Sequence, residues 1–241
     1  MNPKQRKNRL TRMTAVCLSL ILCLGALCPG FSCAAVAEDG AFHIQTQEDL
    51  RALAENCRLD SWSQGKTVVL DNDLTLDETA EEFLPIPSFG GTLEGNNHKI
   101  SGVLLDGEQA DAGLFDTLQD TAVVRHLTVV GQVTPSSGDT VGGLAGKNYG
   151  RLVDCTFEGT VQGDTAVGGL VGSNEASGQI VSCRFRGTVT GEHYVGGIAG
   201  QNTGILGECE NSGAVNTTAV EVASEVPHLS LLRTPEREPP L

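Results

Sequence analysis

A repeat of 26 to 28 residues constrains this sequence more than any other feature. The repeat has three copies, 140–165, 166–193 and 194–217, each beginning near a Val-Gly-Gly that is followed by an aliphatic residue. In each copy a later glycine precedes a cysteine by five residues. Repeats of roughly 20 to 50 residues are typical of solenoids, propellers and arrays, in which each copy is one supersecondary unit.

Apolar and polar residues alternate within each copy, as in a strand with one dry face. In the first copy Val153, Cys155, Phe157 and Val161 are the apolar members of this alternation. Glycine-rich stretches bound these segments and disfavour helix. Stacked copies of two or three short strands therefore predict an all-β parallel β-helix. A propeller fits less well, because four strands per blade do not fit into one copy.

Stacking of the copies predicts ladders of equivalent side chains along the solenoid. The paired glycines are expected at corners that need positive φ or close backbone approach. The asparagines are expected to stack in a turn, where their amides can hydrogen-bond from copy to copy. The predicted ladders are Val141, Val167 and Val195; Leu144, Leu170 and Ile198; Cys155, Cys183 and Cys209; and Asn148, Asn174 and Asn202.

The region before the clear repeats is predicted to contain an amino-terminal cap. Residues 38–111 are expected to form this cap and the first irregular turns, and residues 112–217 the regular β-helix. A helix is predicted over residues 46–58, because Thr46 can cap it and apolar residues follow at helical spacing. Such a helix would cover the open amino-terminal end of the β-helix and its strand edges.

The two ends of the sequence differ from the rest. Residues 1–37 have the layout of a secretory signal peptide: a basic start, an apolar run and a small-residue cleavage site before Glu38. This pattern predicts a secreted or cell-surface protein, with no membrane insertion after cleavage. Residues 218–241 are proline-rich and lose the repeat, so we expect a disordered, truncated tail.

The charge balance excludes some classes of partner. The formal net charge is −14, and all five basic residues before residue 38 lie in the predicted signal peptide. The remaining chain is therefore more acidic still. A surface of this kind argues against nucleic-acid binding and against docking on an anionic membrane.

The Val-Gly-Gly-x-x-Gly-x-Asn cores are similar to the GLUG motif of bacterial secreted and cell-surface proteins. The stretches Ile44–Leu50 and Phe89–Gly102 resemble the amino-terminal part of the same proteins, and the resemblance covers roughly residues 42–217. It implies a right-handed β-helix. Some such proteins are adhesin-like, and others precede the immunoglobulin-A-cleaving zinc peptidase of mucosal bacteria. The motif has no catalytic residue, so the resemblance transfers none.

The sequence predicts no catalytic residue, cofactor or metal site. No His-Glu-x-x-His is present, and Gly146-Lys147 lacks the context of a phosphate-binding loop. The oxygen-rich segment Asp71-Asn72-Asp73 lacks the ligand spacing of known calcium motifs. Cys57 and the three ladder cysteines are interpreted as buried free thiols, because parallel side chains do not suit the dihedral angle of a disulfide.

The outward face of the strands is the predicted ligand-binding surface. Its candidate residues are Thr156, Glu158, Arg184 and Arg186. Glu208 and Glu210, one copy further on, are expected to pair with the two arginines across copies. We interpret the chain as a non-catalytic binding or adhesion-type module for a host or cell-wall glycan or a host protein. A passive stalk, the leader of a longer surface protein such as a peptidase, and a carbohydrate-active β-helix enzyme are the alternatives.

Overall fold

The computed structural model describes residues 40–77 and 84–216, which form a parallel β-solenoid of about six turns. Four sheets run along the solenoid, and each full turn passes through them in the order A, B, D, C. The strand pairs of the described residues are parallel and join neighbouring turns. The all-β class and the parallel β-helix predicted from the repeat are therefore confirmed.

The strands of each sheet follow one another from turn to turn. Sheet A consists of β1 (Phe42–Ile44), β2 (Thr67–Leu70), β5 (Thr92–Glu94), β9 (Val123–Arg125), β13 (Arg151–Val153), β17 (Gln179–Val181) and β21 (Ile205–Gly207). Sheet B consists of β3 (Leu74–Thr75), β6 (Lys99–Leu105), β10 (Thr128–Val133), β14 (Thr156–Gln162), β18 (Arg184–Thr190), β22 (Glu210–Asn211) and β23 (Ala214–Val215). Sheet C consists of β4 (Ile86–Phe89), β8 (Phe115–Leu118), β12 (Ala145–Asn148), β16 (Val171–Asn174) and β20 (Ala199–Asn202). Sheet D consists of β7 (Asp111–Ala112), β11 (Thr140–Gly142), β15 (Ala166–Gly168) and β19 (Val195–Gly196).

A short helix, α1 (Gln47–Asn56), follows β1 at the amino-terminal end of the solenoid. Thr46 caps it: its hydroxyl accepts from the amide of Asp49, whose carboxylate accepts from the Thr46 amide at 2.9 Å. Leu50 and Leu53 are fully buried and belong to the same hydrophobic core as the strands. The predicted helix is confirmed, and it begins one residue later and ends two residues earlier than expected.

The core consists of columns of apolar side chains that repeat from turn to turn. Val141 pairs with Val167, which pairs with Val195. The amide of Leu144 donates to the carbonyl oxygen of Leu170, and that of Leu170 to Ile198. Val195 and Ile198 are only partly buried, whereas the earlier members are fully buried, because they belong to the last described turn.

The asparagines form a hydrogen-bonded ladder at the ends of the sheet C strands. Asn148 Nδ2 donates to Asn174 Oδ1 at 2.8 Å, and Asn174 Nδ2 donates to Asn202 Oδ1 at 2.7 Å. Asn148 and Asn174 are fully buried. Because a buried amide without partners is costly, this ladder makes the two buried asparagines compatible with the core.

The alternating pattern predicts one continuous strand, but a residue of left-handed conformation divides this segment into two strands. His126, Asp154, Ser182 and Glu208 lie between sheets A and B in successive turns, with φ from 51° to 55°. The left-handed residue reverses the alternation of inward and outward side chains. Leu152 is therefore buried in the core, and Val153 is not. The inward position predicted for Val153 is therefore wrong. Cys155, Phe157 and Val161 are fully buried, as the alternation predicted.

The paired glycines allow close backbone packing and do not have positive φ. A Cβ atom on Gly142 would lie 2.3 Å from the carbonyl oxygen of Ala145. A Cβ atom on Gly143 would lie 2.3 Å from the ring of Phe157. Gly142 therefore lets sheets C and D approach closely, and Gly143 leaves room for the ring of Phe157 on sheet B.

The predicted signal peptide (1–37) and tail (218–241) lie outside the described residues. Within residues 40–77 and 84–216, no helix has the length and apolar character needed to cross a membrane.

Candidate ligand-binding surface

The four predicted ligand-contacting residues lie together on the outer face of sheet B. Strands β14 and β18 pair so that Thr156 is opposite Arg184 and Glu158 is opposite Arg186. The intervening Phe157 points into the core and is fully buried. The four side chains thus form a two-by-two patch on neighbouring strands, which lie about 4.8 Å apart.

The charged members of this patch have oppositely charged neighbours. Nη1 of Arg186 donates to Oε1 of Glu158 at 3.2 Å. Arg184 lies between Asp154, at 3.8 Å, and Glu210, at 3.4 Å. These side chains are largely exposed, so each pair contributes less than about 1 kcal/mol to stability.

One of the two expected pairings across copies is present. Glu210 lies beside Arg184, as expected. Glu208 instead accepts a hydrogen bond from the hydroxyl of Ser182 at 3.3 Å. The left-handed conformation at Glu208 and Ser182 places both residues at the corner before sheet B, away from Arg186. The expected pairing of Glu208 with an arginine is therefore wrong.

A shallow groove of about 320 Å³, here called the outer furrow, crosses sheet B beside the patch. Its lining residues are Gly102, Val103, Leu104, Val130, Gly131, Gln132, Glu158, Gly159 and Thr160. Register pairs Val130 with Glu158 on one rim and Gln132 with Thr160 on the other. The furrow therefore spans β6, β10 and β14 and offers amide, hydroxyl and carboxylate groups to a ligand.

The floor of the outer furrow requires glycine. Gly102 and Gly159, which line the furrow, have φ of 77° and 146°. A Cβ atom on Gly159 would lie 1.8 Å from the carbonyl oxygen of Gly131. The furrow was not predicted from the sequence, although its signal is present: Gly131, Gly159 and Gly187 recur every 28 residues within otherwise alternating strands.

Three histidines pair with carboxylates along the corner between sheets A and B. The pairs are His43 with Asp71 at 2.9 Å, His98 with Asp73 at 3.0 Å and His126 with Glu94 at 2.8 Å. Hydrogen bonds from Gln45 and His43 lower the pKa of Asp71. The oxygen-rich segment of Asp71 and Asp73 is thus engaged by protein side chains. The described part of the chain holds no cluster of three or more His, Cys, Asp or Glu suited to a metal ion.

Asp116 is a partly buried carboxyl group that the sequence pattern does not single out. Pairing of β8 with β12 places it beside Gly146, in the column of glycines where sheets C and D meet. Burial, and then the nearby carboxylate of Asp111, raise the pKa of Asp116 to about 7. Its Oδ1 atom has no hydrogen-bond partner among the described residues. Asp111 itself binds Nζ of Lys147 at 2.8 Å.

The three ladder cysteines form a column of free thiols beside β14 and β18. Cys155 and Cys183 are fully buried, and Cys209 is partly buried. The amide of Cys155 donates to Sγ of Cys183 at 3.4 Å. A side-chain hydrogen bond between these two thiols, together with burial, raises the pKa of Cys155, and the same bond lowers the pKa of Cys183.

Comparison with known proteins links the turns of this solenoid to one motif. Residues 137–162 and 163–190 match the model of a family described as the GLUG motif. The first match contains strands β11 to β14, and the second contains strands β15 to β18. Each match thus contributes one strand to each of the four sheets, which is one full turn.

Two larger proteins are similar to this chain. Halomucin from Haloquadratum walsbyi is 31% identical over 148 residues, which is 57% of this chain but 2% of halomucin. The crystal structure of a candidate immunoglobulin A1 protease from Bacteroides ovatus aligns with a TM-score of 0.60 and 20% identity. The alignment covers 74% of this chain and 59% of the chain from Bacteroides ovatus. At this identity the structural likeness shows the fold alone. Two successive turns of this solenoid are therefore GLUG motifs, and the resemblance of the sequence to GLUG-motif proteins is confirmed.

Proposed function

We propose that this chain is a surface-displayed β-solenoid module that binds an extended ligand in the outer furrow and performs no catalysis. The outer furrow is the observation that carries the proposal. It is an open groove whose lining combines polar and apolar residues at equivalent positions of three successive turns. Its glycine floor exists only because backbone conformations with positive φ are maintained there, and such conformations concentrate at functional sites.

A linear glycan is the ligand that this geometry supports best. Neighbouring strands lie about 4.8 Å apart, close to the length of one sugar ring in an extended polysaccharide. A chain lying along the solenoid axis would therefore present successive sugars to equivalent residues. Gln132 and Thr160 can donate to and accept from sugar hydroxyls. Because Arg186 is paired with Glu158, the adjoining patch suits a neutral ligand.

Display outside the cell is supported by two observations. The pattern of residues 1–37 is typical of a secretory signal peptide. The chain is also similar to a short part of halomucin. A host or cell-wall glycan is then the ligand to which the furrow would be exposed, and a host protein is the other candidate.

A passive stalk, or the leader of a longer surface protein, is the second candidate. The pairing of Arg186 with Glu158, and of Arg184 with Asp154 and Glu210, favours it, because charged groups that already pair with one another leave few free for a ligand. Stacked identical turns also make an effective spacer. The carbohydrate-active alternative has no such specific observation in its favour.

The test is binding of the purified chain to an array of linear polysaccharides, peptidoglycan fragments, mucin glycans and host mucosal proteins. We expect a glycan signal without new reducing ends in the supernatant. Thr160→Arg places a long side chain in the outer furrow and is expected to abolish the signal. Gln179→Arg adds the same charge on sheet A and is expected to retain it. New reducing ends would indicate an enzyme. No binding to any member of the array would indicate a stalk.

A further inference from the structure

Cys183 and Cys209 occupy equivalent positions in the last two described turns. Pairing of β18 with β22 sets Arg184 opposite Glu210, so the residues just before them also face each other. The amide of Glu210 donates to the carbonyl oxygen of Cys183 at 2.9 Å, which fixes this register. Neighbouring strands are about 4.8 Å apart, within the range of about 4.4 to 6.8 Å between the Cα atoms of disulfide-bonded cysteines.

The last turn has the freedom that a disulfide dihedral needs. Cys155 and Cys183 are fully buried between neighbouring turns, which restricts rotation of their side chains. Cys209 has a described turn on one side only and is partly buried. Strand β22, which begins just after it, is two residues long. Its thiol bonds to the carbonyl oxygens of Ile180 and Gly207 at 3.3 and 3.4 Å, contacts that a rotation about the Cα–Cβ bond can give up at little cost.

We propose that Cys183 and Cys209 form a disulfide that fastens the last described turn to the turn before it, on exposure to a low-molecular-weight disulfide. This inference rests on the cysteine column and is independent of the ligand proposed for the outer furrow. Cys155 stays a thiol and acts as the hydrogen-bonding neighbour of Cys183.

The chemistry balances as two thiol–disulfide exchanges. Cys209, the more accessible thiol, attacks the small disulfide as its thiolate and releases one small thiol. Partial burial raises the pKa of Cys209, so this first exchange is favoured by alkaline pH. Cys183 then attacks the Cys209 sulfur of this mixed disulfide, and a second small thiol leaves. The two cysteine protons end on the two released thiols, the protein pair is oxidised and the small disulfide is reduced. The hydrogen bond from Cys155 lowers the pKa of Cys183, which favours the thiolate required for the second exchange.

The test is peptide mapping of the full chain after incubation with oxidised glutathione and alkylation of the remaining thiols. Trypsin is expected to place Cys155 and Cys183 in peptide 152–184 and Cys209 in peptide 187–233. Cys57 and the cysteines before residue 38 fall in other peptides. A second cleavage after glutamate separates Cys155 from Cys183, since Glu158 and Glu175 lie between them.

We expect a link between Cys183 and Cys209, and a higher melting temperature that reductant returns to its original value. Cys155→Ser should retain the link, Cys57→Ser should leave it unchanged, and Cys209→Ser should abolish it while the circular dichroism spectrum is unchanged. A Cys155–Cys183 link, glutathione on Cys209 without a protein disulfide, or no oxidation at all would each overturn the proposal.

Discussion

Replacing Asp116 by Asn is expected to stabilise the protein at pH 8 and to change it little at pH 4. The pKa of Asp116 is raised from 3.8 to about 7 in the folded chain, so the folded state keeps a proton that the unfolded state releases. Stability from this group is complete below about pH 4 and is lost as the pH rises to 7. One pKa unit corresponds to about 1.4 kcal/mol, so the full shift corresponds to about 4 kcal/mol. Since the carboxyl group keeps some contact with solvent, we expect a gain of about 2 to 4 kcal/mol at pH 8.

The assay is urea unfolding of both proteins at pH 4 and pH 8, followed by fluorescence of Trp62, the only tryptophan. Asp120→Asn, which neutralises an exposed carboxyl group nearby, is the matched control and should give no gain. Asp116→Gly introduces the residue found at this position of the glycine column in later turns. Its effect on the free energy of unfolding should depend on pH in the same way as that of Asp116→Asn. An equal effect of Asp116→Asn at both pH values, or destabilisation at pH 8, would refute the reasoning.

Three further predictions concern the glycine floor, the asparagine ladder and the charged patch. Gly159→Ala is expected to cost about 3 kcal/mol or more, because its Cβ atom would lie 1.8 Å from a carbonyl oxygen at a φ of 146°. Gly207→Ala, whose Cβ atom would have no neighbour closer than 3.9 Å, is the control and should cost under about 1 kcal/mol. Equal urea midpoints for the Gly159→Ala and Gly207→Ala proteins would contradict this prediction. Asn174→Ala breaks two ladder bonds, one buried and one partly buried, and should cost about 3 kcal/mol, against about 1 kcal/mol for Asn202→Ala at the exposed end. A smaller loss at Asn174 than at Asn202 in thermal unfolding would show that the ladder is not cooperative. Arg186→Ala removes an exposed ion pair and should change the free energy of unfolding by under about 0.5 kcal/mol, so a loss above about 1.5 kcal/mol would assign the pair a structural role.

The fold could be predicted because the repeat leaves few ways to bury its apolar residues. Val141, Val167 and Val195 recur at nearly equal intervals, and parallel stacking of the turns brings all three into one column. The capping of α1 could also be predicted, because Thr46 and Asp49 interact within one helical turn. Both features depend on local pattern, which a single sequence contains.

The corner at Asp154 could not be read in the same way. Asp154, Ser182 and Glu208 share a left-handed conformation but no common side-chain chemistry. The alternation therefore looks unbroken in the sequence, and it predicts Val153 in the core in place of Leu152. The conformation is set by the meeting of sheets A and B, which a local pattern does not describe.

The outer furrow and Asp116 depend on contacts between turns. Gly159 reveals its role only when the backbone of Gly131 is known to lie against it. Asp116 replaces a glycine of the repeat in a less regular turn, and its burial follows from the close approach of sheets C and D. The predicted patch of four residues was brought together by register alone, and its role in binding stays a prediction.

The most direct test of the proposed function is hydroxyl-radical footprinting with the polysaccharide that binds most strongly on the array. Leu104 lies in the outer furrow and is 36% exposed, whereas Leu206 lies on sheet A and is 42% exposed, so the two leucines report on different faces with similar accessibility. We predict that saturating polysaccharide lowers the oxidation rate of Leu104 severalfold and leaves that of Leu206 unchanged. Protection of Leu206 alone, or equal rates for Leu104 with and without polysaccharide, would contradict binding in the outer furrow.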